Sequence, residues 1–237
     1  MRALTNIRPL RWVWPALVPI VILAVVTFAF SFGSPILQRI VTTMIINLIA
    51  VVGLYIFVGN SGVFSFGHVA FMGIGAYTAA ILSVSPKTKA LLLPDMPGFL
   101  AAASLPTVPA ILIGGVVAAV FALIVAFPLM RMKSIALPIG TFALAVIVHT
   151  VTIGWKSLTG GTGTMTGIPI KATLWLAFVF AAAAMLVALM FQKSRVGMRL
   201  KGAREDEVAA RAIGIGVLKE RTWAWLISAF VMGLAGG

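Results

Sequence analysis

The 237-residue sequence has no cysteine, only two histidines and only five acidic residues. The missing cysteines exclude a disulfide scaffold, thiolate metal sites and a cysteine nucleophile. So few His, Asp and Glu leave little material for a metal centre or an acid–base pair, so no catalytic residue or metal ligand is assigned and an enzyme is disfavoured. Charge is scarce as well, at 10% of residues, against about 25% in ordinary soluble domains. Apolar residues, by contrast, make up 61% of the chain. Disorder requires low hydrophobicity, and a soluble domain could not hide this much apolar surface. The composition therefore predicts an all-α, polytopic transmembrane helical bundle. Eighteen Lys and Arg give a formal charge of +13. Nucleic acid would need a basic, solvent-exposed domain, so membrane topology is the better explanation of the charge.

A bilayer core of about 30 Å takes about 20 apolar helical residues to cross. Seven runs approach or reach that length: Trp14–Phe32, Arg39–Val58, Phe66–Val84, Thr107–Met130, Ser134–Gly154, Ala172–Phe191 and Thr222–Gly237. They are apolar all round, unlike the alternating strands of a barrel. The first run, preceded by Arg2, Arg8 and Arg11, reads as a retained helix in preference to a signal peptide. With the N-terminus cytoplasmic, seven alternating crossings place thirteen positive residues inside. Five lie outside: Arg39, Lys87, Lys89, Lys156 and Lys171. That asymmetry is the one the positive-inside rule demands.

Residues 59–80 read GNSGVFSFGHVAFMGIGAYTAA. Gly, Asn and Ser at the start suit either an irregular, protein-covered entry to a buried helix or an ordinary turn before a tightly packed one. Gly73, Gly75, Ala76, Ala79 and Ala80 give small-xxx-small spacing for close helix approach.

Residues 192–221 hold eight of the positive residues and four of the five acids. A short helix is predicted over Glu205–Ile213, with Glu205, Asp206 and Glu207 in its first turn, where acids favour the helix dipole. Gly214 supplies the stop. Val208, Ala209, Ala212 and Ile213 form a small apolar face, suited to a partner's groove or to lipid headgroups.

Three motifs together resemble the permease subunits of branched-chain amino acid ABC importers, the M-type rather than the H-type. The first is Gly59–Leu82, where Gly62, Ser65, Phe66, Gly67, His68, Gly73, Gly75, Ala76, Tyr77 and Thr78 agree with the family's pattern, while Asn60 and Val63 depart from it. The second is Thr141–Pro169, in which Trp155, Thr159, Gly160, Gly161, Gly167, Ile168 and Pro169 agree. There Val146 and His149 stand where the family carries a Glu and an Arg. The third, SRVGMRLKGAREDEVAARAIGI, resembles the family's coupling segment and is the most specific of the three.

The resemblance implies the type II ABC importer permease fold and a single permease domain over 1–237, with 192–221 as its cytoplasmic coupling loop. It also implies a C-terminal truncation, because family members continue past this point. Arg204, Glu205, Asp206, Glu207, Ala209, Ala210 and Gly214 would contact the ATPase. Asn47, Asn60, Ser65, His68 and Tyr77 would line the translocation path, and Thr159, Gly160, Gly161, Gly167 and Pro169 would face a periplasmic substrate-binding protein. The expected partners are an H-type permease, two ATP-binding-cassette ATPases, that binding protein and the lipid bilayer of the bacterial inner membrane, with no nucleic acid. The chain has no G-x-x-x-x-G-K-[ST] loop, so ATP is expected on the ATPase subunits and no cofactor in this chain.

Two rival classes remain open. An ion-coupled carrier or channel usually needs an intramembrane acid, and all five acids fall in predicted loops. His68 and His149 are the only candidate proton carriers, and His149 is expected to be hydrogen-bonded within the bundle. A membrane enzyme would have only Ser65 beside His68, with no acid to orient the imidazole.

Overall fold

The computed structural model describes residues 8–93, 96–132, 135–161 and 172–237, with the backbone alone over 8–16 and at 91, 92 and 99. Every described element is helical: α1 (Arg8–Ser31), α2 (Pro35–Ser61), α3 (His68–Ser83), α4 (Pro86–Leu92), α5 (Gly98–Ala102), α6 (Thr107–Leu129), α7 (Ala136–Gly154), α8 (Lys156–Thr159), α9 (Leu174–Lys193), α10 (Arg195–Glu205), α11 (Glu207–Ala212) and α12 (Val217–Gly236). All seven apolar runs become helices. Among the described residues, α2, α6, α7 and α9 are long and apolar enough to cross a bilayer, while Leu17–Ser31 and α3 are shorter apolar helices.

Helix boundaries differ from the apolar runs where capping chemistry decides them. In α2 the Ser34 side chain accepts from the Leu37 N–H and Pro35 occupies the first turn, which starts the helix before Arg39. Its far end is closed by Gly62 at φ 70, whose N–H bonds the Val58 carbonyl, a left-handed cap that glycine adopts without strain. Polar residues also extend α12, which begins at Val217. Its first turns, with Lys219, Glu220 and Arg221, lie outside the apolar window that sequence reading isolates.

The helices alternate between two ends of the bundle. At one end Arg204 of α10 donates to the Gly59 carbonyl of α2, and Met130, Arg131, Arg211 and Leu218 line a common cleft. At the other end Ser31 and Arg39 share a cleft with Thr173 and Trp175, and Gly160 approaches Leu93. These neighbours are the ones the predicted alternation requires, with α10 and α11 at one end and α4, α5 and α8 at the other.

At the centre stands α12, packed against α2, α3 and α6. Its Trp225 is fully buried, with ring centroids 5.1 Å from Phe57, 5.0 Å from Phe71 and 4.9 Å from His68. The indole N–H donates to the Ala122 carbonyl at 3.2 Å. Ser228 Oγ donates to the Gly53 carbonyl at 2.6 Å, tying α12 to α2.

Three helices meet almost backbone to backbone. A Cβ on Gly75 of α3 would lie 2.1 Å from the Gly233 carbonyl oxygen, and one on Gly114 of α6 2.8 Å from that of Gly75. Such approach gives close van der Waals packing where lipid supplies no hydrophobic drive for helix association. Gly73, in the same predicted small-residue pattern, has open space around it.

The end carrying α4 and α5 is held by a buried lysine. Lys89 is 1% exposed, and its Nζ donates to the Leu100 carbonyl at 2.9 Å and to that of Ala103. Burial pulls its pKa below the ordinary lysine value. The neutral amine keeps two N–H donors, enough for both carbonyls. Because the folded pKa lies below the unfolded one, the folded state binds fewer protons between the two values. Stability therefore rises as pH climbs through that window and is lowest below it. Limited proteolysis of the α4–α5 segment should slow as pH approaches 10.5, and Lys89→Met should abolish that dependence. An unchanged pH profile in Lys89→Met would refute the assignment.

Candidate functional site

The segment from Ser194 to Gly216 forms a folded platform in place of an open loop. Ser194 caps α10 by accepting from the Gly197 N–H. Asp206 then ends that helix: its backbone is extended, and its carboxylate accepts from the Val208 and Ala209 N–H groups at 2.9 Å each. This corrects the single helix expected over Glu205–Ile213. Asp206 competes for the backbone donors and becomes the cap of α11, which leaves Glu205 on α10 and only Glu207 in the first turn of α11. The predicted stop at Gly214 is observed, at φ 84.

Three polar links fasten the platform to the bundle. Glu207 pairs with Arg211 one turn on and, at 2.9 Å, with Arg221 of α12. The Arg221 side chain is 9% exposed, with its Nε buried and unpartnered. Arg199 of α10 pairs with the buried Glu220 of α12 at 3.2 Å. Arg204 donates to the Gly59 carbonyl at 3.0 Å, and its stem lies over Gly62, where a Cβ would approach Arg204 Cγ to 2.6 Å. Glycine at 62 thus serves both the left-handed turn and the close contact.

The rest of the platform's surface is apolar and open. Val208 and Ile213 are 80% and 78% exposed, and Ala209 and Ala212 are exposed beside them, whereas Ala210 is buried against the bundle. The apolar face read from the sequence therefore exists and points away from the fold. A cleft of about 470 Å³ beside it is lined by Arg131, Glu207, Arg211 and Arg221, among others.

The five residues expected along a path do not share one wall. Asn60, Ser65 and His68 are buried inside the bundle, Tyr77 is half-buried on α3, and Asn47 is exposed on α2. The His68 ring pairs with Ser65 Oγ at 2.8 Å within the aromatic cluster around Trp225. The stretch 62–67 is indeed irregular. It docks on α7, where the Phe66 N–H donates to Thr141 Oγ1 at 3.1 Å and Gly67 packs against the Thr141 carbonyl.

His149 is exposed on α7, contrary to the expected place within the bundle. This helix packs through one face, against α3 and α6, and residue 149 lies off that face.

At the opposite end, Thr159 is buried and its hydroxyl is spent inward on the Trp155 and Thr152 carbonyls. Gly160 and Gly161 follow at φ 75 and φ 69, and Gly167 and Pro169 lie outside the described residues.

Sequence reasoning missed Arg199, Glu220, Arg221 and Lys89. Spacing of i,i+4 exposes the Glu207–Arg211 pair, but no local period relates Glu207 to a residue 14 positions away.

A helical bundle with four described helices long and apolar enough to cross a membrane, shorter apolar helices packed among them and a folded basic platform between α9 and α12, has the architecture of a polytopic membrane protein. The chain belongs to the family described as branched-chain amino acid transport system / permease component, whose model matches residues 36–237. It is similar to the high-affinity branched-chain amino acid transport system permease protein LivM of Escherichia coli K12, at 28% identity over 93% of this chain and 55% of the relative. The LivM of Salmonella typhimurium LT2 is also 28% identical, over 88% of this chain and 52% of that protein. The chain thus spans about half the length of the curated relatives it matches. No solved structure gives a significant match.

Proposed function

We propose that this chain forms part of the permease of an ATP-binding-cassette importer. It would carry branched-chain amino acids, or related small polar solutes, across the bacterial inner membrane by alternating access. Two ATPase subunits grip α10 and α11 from the cytoplasm through Arg204, Glu205, Asp206, Glu207, Ala209 and Gly214, with Ala210, expected among the contacts, buried beneath them against the bundle. An H-type permease completes the membrane pair, and a periplasmic binding protein presents solute on the side of Thr159–Pro169. ATP stays on the partner subunits. Placing the platform in the cytoplasm follows the positive-inside rule.

The observation that carries this reading is the fastening of the platform to α12 and α2. Arg221–Glu207 and Arg199–Glu220 join α11 and α10 to the foot of the central helix, and Arg204 joins α10 to α2. A push on the open Val208–Ile213 face is thereby delivered to α12, which packs on α2, α3 and α6. Interfaces packed this tightly switch between arrangements instead of deforming continuously.

Cells carrying the whole transporter should lose uptake of labelled leucine when ATP is depleted with the membrane potential clamped. Uptake that survives ATP depletion, or that the purified chain alone performs in liposomes, would overturn the proposal in favour of an ion-coupled carrier or channel.

A further inference from the structure

One face of α2 carries polar groups where lipid could not satisfy them. Arg39, Thr43 and Asn47 are spaced i,i+4,i+8 and all are exposed, so they align along the helix. The 27 residues of α2 span about 40 Å, longer than the roughly 30 Å hydrocarbon core, and Asn47 falls near the midpoint. Its amide has no hydrogen-bond partner among the described residues. Leaving such a group unpaired in hydrocarbon carries a large desolvation penalty. Polar side chains at that depth therefore face protein or water.

The line opens into a cleft. Arg39, Thr42, Thr43, Ile46, Leu174 and Trp175 line a cavity of about 470 Å³ between α2 and the start of α9, within the size range of small-molecule sites. The Arg39 guanidinium has no carboxylate partner among the described residues, and Glu205, Asp206, Glu207 and Glu220 all lie at the far end of the bundle. A headgroup phosphate could meet Arg39 at the interface but could not follow the line to Asn47.

We propose that the Arg39–Thr43–Asn47 face of α2 lines the solute passage and that its mouth takes a zwitterionic aliphatic α-amino acid. The guanidinium receives the carboxylate, the Thr43 hydroxyl oxygen accepts from the ammonium, and Ile46, Leu174 and Trp175 cover the aliphatic side chain, with Asn47 deeper along the passage. This rests on the transport reading above and adds the residues and the chemistry of capture.

The cysteine-free sequence makes the test direct. In the assembled transporter, Thr43→Cys and Asn47→Cys should react with a charged, membrane-impermeant methanethiosulfonate at least about tenfold faster than Met44→Cys. Met44 is 63% exposed on the adjoining face of the same helix. L-Leucine should protect Asn47→Cys where L-leucinamide does not, and adding Arg39→Gln should raise the protecting leucine concentration at least about tenfold. Equal labelling at positions 43, 44 and 47 would overturn the proposal, and so would equal protection by leucine and leucinamide or an unshifted concentration in Arg39→Gln. Labelling and protection are read without turnover. If the cysteine variants show them while the wild-type complex lacks ATP-driven uptake, the transport reading fails and the amino-acid site stands.

Discussion

Gly75→Ala should leave little correctly assembled protein in the membrane, whereas Gly73→Ala, two residues away on the same helix, should be harmless. The Gly75 methyl would sit 2.1 Å from the Gly233 carbonyl oxygen. The obstacle is backbone, so no rotamer change relieves it, and α3 must move away from α12. Overpacking that side chains absorb costs about 1–3 kcal/mol. Here the displacement also opens the contact of Gly75 with Gly114 and of Gly233 with Gly115, so the loss should exceed about 4 kcal/mol. A Cβ at Gly73 meets nothing within 4 Å, and alanine there should gain about 0.5–1 kcal/mol from helix propensity. Thermal unfolding in detergent, read with the monodisperse fraction, measures both. Comparable stability of the two variants would show that the helices are not seated at Gly75.

Much of the architecture was legible because bilayer length and hydropathy set it. Each of the seven apolar runs became a helix, and their alternation between two ends followed from helix order and short connections. Local rules carried less well where polar side chains intervened. Asp206 shows this: an acid in the first turn and an acid capping the turn look alike in sequence, yet the second splits one helix into two. Long-range pairing was hidden altogether. Nothing about Lys219-Glu220-Arg221 reveals that Glu220 reaches α10 and Arg221 reaches α11. Nor does an isolated Lys89 predict two carbonyl partners 11 and 14 residues on. The glycines divided the same way: their spacing predicted close approach, but Gly75 and not Gly73 makes it, because only one of them faces α12.

Among the candidate path residues, residue type was a poor guide to position. Asn60 and Asn47 lie on the same helix, yet Asn60 is sealed inside the bundle with its Oδ1 unpartnered and Asn47 stands on the surface. Thirteen residues is a little over three and a half turns, which turns the two to different faces. Helical phase relative to the packed side, and not polarity alone, decides which amide a solute could touch.

Glu207→Gln should cost more stability than Arg221→Gln, and each should separate ATP hydrolysis from uptake. Losing Glu207 leaves Arg221 with a 9% exposed side chain, no counter-charge and an Nε that already lacks a partner. Fully buried pairs broken on one side cost about 3–5 kcal/mol. Glu207 is a third exposed, so solvent screening reduces this to about 2–3 kcal/mol. Losing Arg221 instead leaves Glu207 its exposed partner Arg211 and access to water, and the cost should be about 1–2 kcal/mol, mainly lost packing of the arginine stem. A double-mutant cycle isolates the pair: if the two residues act through each other, the double variant is less damaged than the sum of the singles. In the assembled transporter the platform would still bind ATPase through the Val208–Ile213 face. ATPase activity should therefore persist while solute uptake falls at least about tenfold, since α11 no longer pulls on α12. Uptake and hydrolysis falling in proportion would mean that force reaches the membrane helices by another route, with Arg204–Gly59 and Arg199–Glu220 the remaining links to test.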